Sequence, residues 1–76
     1  MVSDAVDQLI GAAFNHLNNP VDFDFNKLEW ALLGGPPRGA TRLFKAVRRY
    51  LDKPTDRNRL LMQYQVERAI DACYTA

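Results

Sequence analysis

Along most of this chain apolar residues recur at a spacing of three and four, the period of a helix with one buried side. Four such stretches are separated by clear punctuation. The first runs from about Asp4 to Asn18, with Val6, Leu9, Ile10, Ala13, Phe14 and Leu17 on a single stripe. Asp4, Asp7, Gln8, Asn15 and Asn18 line the other side. Ser3 is the expected N-cap, because its hydroxyl can accept from an orphan amide, and Asp4 and Asp7 suit the positive end of the helix dipole. Asn18-Asn19-Pro20 is a stop signal.

Val21-Asp22-Phe23-Asp24-Phe25 alternates apolar and polar but has no second strand to pair with. It reads as an extended connector that carries Phe23 and Phe25 into the core. A short second helix follows, from about Lys27 to Leu33. Asn26 as N-cap and Glu29 as the third helical residue make a variant capping box, with Phe25 and Trp30 placed as a hydrophobic staple. Gly34-Gly35-Pro36-Pro37-Arg38-Gly39 ends it. The third helix runs from Gly39 or Ala40 to Asp52, with Ala40, Leu43, Phe44, Val47, Tyr50 and Leu51 on about a third of its circumference. Lys53-Pro54 closes it, and Thr55 caps a fourth helix from Asp56 to about Tyr74. Met62, Val66, Ala69, Ile70 and Cys73 form the inward stripe of that helix, and Leu60, Leu61 and Tyr64 lie off it.

The pattern predicts an all-α fold, a compact bundle of three longer helices and one short one with short Pro- and Gly-containing connections. Residues 1–76 are expected to form a single helical domain. An apolar fraction of 47% with a net charge of only +1 excludes a disordered tail, and a single cysteine excludes a disulfide scaffold. Lone Cys73 suits a reducing compartment. The N-terminus lacks the basic and apolar regions of a signal peptide, and no apolar run approaches the roughly 18 residues of a membrane span. The expectation is a cytoplasmic protein that does not engage a membrane.

Tests for catalytic and metal chemistry fail on the residues themselves. One histidine and one cysteine, His16 and Cys73, sit on different helices, with no HxxxH, CxxC or HExxH spacing. His16 falls near the end of the first helix, where a positive charge is favoured, and reads as structural. Asp22-x-Asp24-x-Asn26 begins like a calcium loop, but the sixth position holds Lys27 and the twelfth Leu33. Gly34 to Thr41 copies part of a phosphate-binding loop, with Ala40 where its lysine belongs. Ser3 is accounted for as a cap, and Cys73 lies on an apolar stripe. No catalytic residue, metal ligand or cofactor is therefore expected, and the chain does not read as an enzyme.

Charge changes the picture. Residues 1–37 carry one lysine against five acids, net −4, and residues 38–76 carry nine cations against four acids, net +5. On the third helix and its edges Arg38, Arg42, Lys45, Arg48, Arg49 and Lys53 share an arc of about 140°, away from Leu43, Phe44 and Val47. Only Asp52 interrupts it. The plainest use of such a face is to be solvated. Arginine is also the better residue for bidentate contacts to carboxylate or phosphate. A helix-turn-helix is weakly suggested, since six residues with two prolines exceed the usual turn and only Thr41 and Arg42 could read bases early in the helix.

Leu60, Leu61, Tyr64 and Tyr74 are expected in the core, because a small bundle buries most of its apolar residues. If exposed, they form an aromatic–aliphatic anchor beside the arginines. Leu51-x-Lys53-Pro54-Thr55-Asp56, leading into Leu60 and Tyr64-Gln65, resembles the turn of type III secretion needle subunits. The Tyr-Gln pair is out of register, and the additional helix and Gly-Gly-Pro-Pro turn depart from a simple hairpin, so no role is carried over.

The expectation is a non-catalytic protein-binding module: an inhibitor, adaptor or assembly factor, by analogy of phage or mobile-element type. Its partner would be a larger protein with an acidic patch, bound through Arg38, Arg42, Lys45, Arg48, Arg49, Lys53, Leu60 and Tyr64. The alternative is a small nucleic-acid-binding regulator that uses the same basic helix. Self-association through the fourth helix is a further expectation.

Overall fold

The described residues form four helices: α1 (Asp4–Asn18), α2 (Phe25–Leu32), α3 (Thr41–Asp52) and α4 (Asp56–Tyr74). The computed structural model describes residues 4–18 and 25–74, without the side chains of Phe25, Lys27 and Tyr74. No strand occurs among the described residues. The fold is an all-α bundle. The proposed Ser3 cap, the connector with Phe23, the calcium-like Asp22 and Asp24, and the Tyr74 side chain all lie outside the described residues.

α4 packs on α3 and α1, while α2 packs on α1 and α3. Their shared core is Val6, Leu9, Ile10 and Ala13 from α1, Leu28 from α2, the apolar side of α3, and Met62, Val66 and Ala69 from α4. These are the stripes read from the sequence, with three differences. Phe14 is 49% exposed although it falls on the α1 stripe, because it sits at the stripe's edge beside a shallow groove against Gln63 and Glu67 of α4. α2 begins at Phe25, so Asn26 lies inside its first turn rather than ahead of it. Trp30 is exposed, because it lies about 200° around the helix from buried Leu28, and its expected staple partner, the Phe25 side chain, lies outside the described residues.

The connections are held by backbone chemistry that the residue types anticipate. Gly35 and Gly39 adopt φ values of 78° and 95°, which L side chains rarely adopt. Gly39 therefore cannot be helical, and α3 starts at Thr41, after an Ala40 that offers no capping side chain. Between α3 and α4 the expected cap is present, with the Asn58 amide donating to Thr55 Oγ1 at 3.2 Å. Asn58 Nδ2 also donates to the Lys53 carbonyl at 2.8 Å, tying the turn to the end of α3. The end of α1 is closed from another helix, where Arg59 Nη2 donates to the Leu17 carbonyl at 3.1 Å.

His16 corrects the expectation of a favoured positive charge. It is 7% exposed, and its Nε2 lies 2.9 Å from the Tyr50 hydroxyl, the two rings edge to face. Burial, and then the Arg59 cation, hold the imidazole below its ordinary pKa of 6.5. The neutral ring meets the Tyr50 hydroxyl as acceptor or donor according to its tautomer.

This arrangement predicts a pH dependence. With the folded pKa lowered, the unfolded chain binds more protons just below pH 6.5. Stability is fully present above that value and falls as acid is added, until the pH passes the folded-state pKa. Thermal melts followed by circular dichroism should show Tm falling below pH 6.5, and His16→Gln should flatten that part of the curve. A Tm that is level there in the parent chain would contradict the burial of a neutral ring.

Candidate functional site

α3 has two faces of opposite character. Its apolar side is sealed, with Leu43, Phe44, Val47 and Tyr50 buried and Leu51 half-buried. Its other side exposes Arg42, Lys45, Arg48 and Arg49, extended by Arg38 in the preceding turn and Lys53 in the following one. No ion pair to any of these six is found among the described residues. Arg42 and Lys53 are eleven residues apart, about 16 Å along the axis, so the cations form a stripe rather than a point. Of the remaining cations in this half, Arg57 is exposed, while Arg59 is spent on the end of α1.

The α4 residues depart from the core expectation. Leu60 is 65% exposed, Tyr64 51%, and Leu61 is exposed as well. The reason is angular: Leu60 and Tyr64 each lie about 200° from Met62, the residue that α4 buries most completely. They are thus on the surface, as an anchor would require.

Tyr64 is not isolated there. Arg68, one turn further on, lays its guanidinium over the Tyr64 ring at 5.6 Å from the centroid, and its Nη1 donates to the hydroxyl at 3.0 Å. Arg68 in turn lines a cleft of about 310 Å³ with Arg42, Thr41, Gln65, Ala69 and Ala72. The structure therefore brings Arg42 and the Tyr64–Arg68 pair to one place, while Arg48, Arg49 and Lys53 lie along α3 away from the cleft. Sequence reasoning missed Arg68. Its signal was the i, i+4 spacing from Tyr64, which puts a cation within reach of an aromatic face.

A second concavity, of about 400 Å³, lies between α1 and α2, lined by Gln8, Ala12, Asn26, Trp30 and Ala31. None of its described lining residues is a cation. Among the described residues no three of His, Cys, Asp and Glu are grouped so as to hold a metal ion. Cys73 is half-buried and forms no disulfide. No described helix is long and apolar enough to cross a membrane. No protein-family model, curated protein or solved structure matches the chain.

Proposed function

We propose that this chain is a non-catalytic protein-binding module, an inhibitor, adaptor or assembly factor of the cytoplasm. It docks on an acidic surface of a larger protein through the exposed cations of α3. One observation carries the reading. α3 is sealed on its apolar side, yet with its flanking turns displays six cations that no acid of the described chain neutralises. Electrostatic complementarity of that kind speeds encounter and selects the partner, and apolar side chains beside it lengthen the life of the complex. Exposed Leu60 and Tyr64 on the adjacent helix can supply the apolar part.

A nucleic-acid role would use the same arginines. Against it, the link between α2 and α3 spans residues 33–40, about twice the usual turn of a helix-turn-helix. Fluorescence anisotropy with a labelled polyglutamate peptide and with duplex DNA or RNA, each over a range of salt, separates the two. The expected result is polyglutamate binding and no duplex binding at low salt. Duplex binding with a log–log salt slope of about −4 to −5, the value for some five phosphate contacts, would put the nucleic-acid reading in its place.

A further inference from the structure

We propose that the cleft between the start of α3 and the second half of α4 is the pocket for one acidic side chain of the partner, a glutamate or aspartate held between Arg42 and Arg68. The inference rests on the docking role above and says where along the basic stripe the partner is anchored.

Three features of the cleft suit that ligand. The cleft is concave, about 310 Å³ in volume, and has cationic walls from two different helices, Arg42 on α3 and Arg68 on α4. Its lining also includes apolar Leu43, Ala69 and Ala72, which can accept the methylenes of an acidic side chain. A guanidinium fork matches the two oxygens of a carboxylate in one plane. The acids of α4 nearest to Arg68 in sequence, Glu67 and Asp71, do not line the cleft.

Arg68 is also oriented before a ligand arrives. Stacking on Tyr64 and the 3.0 Å hydrogen bond to its hydroxyl restrain the side chain while engaging only one of the five guanidinium N–H groups. A restrained donor loses less conformational entropy when it binds.

Anisotropy with the same polyglutamate peptide tests the pocket, with circular dichroism to confirm that each variant keeps its helices. Arg42→Gln and Arg68→Gln should each weaken binding about tenfold, whereas Arg48→Gln, the same charge change outside the cleft, should change it by no more than about twofold. Ala72→Leu fills the cleft without altering charge. Ala72 is exposed on a helix that tolerates leucine, and this variant should weaken binding at least about fivefold.

Parent-like binding by Ala72→Leu, or equal losses from Arg42→Gln and Arg48→Gln, overturns the pocket. If Arg48→Glu with Arg49→Glu removes binding under those circumstances, the basic stripe still docks an acidic surface and only the anchor is wrong. If that double reversal has no effect either, both readings fall. Should Ala72→Leu weaken duplex DNA binding and spare the peptide, the cleft takes phosphate and the carboxylate assignment is overturned.

Discussion

Arg48→Glu combined with Arg49→Glu is expected to abolish capture of an acidic partner while leaving the helical fold intact. Both side chains are exposed toward the C-terminal end of α3. Each replacement subtracts two charges, so the chain passes from +1 to −3. Glutamate and arginine have nearly equal helix propensity. The local cost is a less favourable meeting with the negative end of the α3 dipole, about 0.3–1 kcal/mol. Like charges brought together at an interface cost several kcal/mol, far more than the fold loses. Capture on immobilised partner or polyglutamate, beside a far-UV spectrum and a thermal melt, measures both effects. The neutral pair Arg48→Gln with Arg49→Gln should fall between parent and reversal. Undiminished capture by the reversed protein would show that the stripe is only a solvated face.

The second large effect lies on the other side of the same helix. Leu43 is 1% exposed at the centre of the core, and Leu43→Ala removes methyl groups that the neighbours cannot fully replace. Such truncations cost about 2–5 kcal/mol. A chain of this length has roughly 4–11 kcal/mol of stability at the usual value per residue. The variant therefore gives up a large share of its fold, and with it the platform that aligns the cations. Urea denaturation should show a much lower midpoint with an unchanged slope. Leu60→Ala, at a position 65% exposed, should change the stability little, by about 0.5 kcal/mol or less. Equal losses from the two would place Leu60 in the core after all.

Much of the fold was legible along the chain. α1 and α4 cover the spans read from the sequence, Asp4–Asn18 and Asp56–Tyr74. Thr55 caps α4 through the bond that its hydroxyl was expected to make. The six cations of the α3 stripe all stand in solvent, because on a helix with one continuous apolar face a charged side chain has only one direction open to it.

Where the residues left two directions open, the sequence was a poorer guide. Leu60, Leu61 and Tyr64 form a second apolar side of α4, and periodicity does not say whether a second side is covered as well. Packing of α4 on α1 and α3 chose the Met62–Val66 side and left the other exposed. α2 differs at its start, which falls two residues earlier than the capping pattern suggested.

By itself, then, the sequence determined the quantities that are local in the chain: helix periods, caps, breakers, and the separation of −4 from +5 within a total of +1. The tertiary structure alone decided whatever needs two distant segments. It buried His16 against Tyr50, 34 residues away, and turned Arg59 onto α1. It also set Arg42 and Arg68 on opposite sides of one cleft. Those pairings depend on the angle and depth at which helices pack, and side chains far apart in the chain set that geometry together.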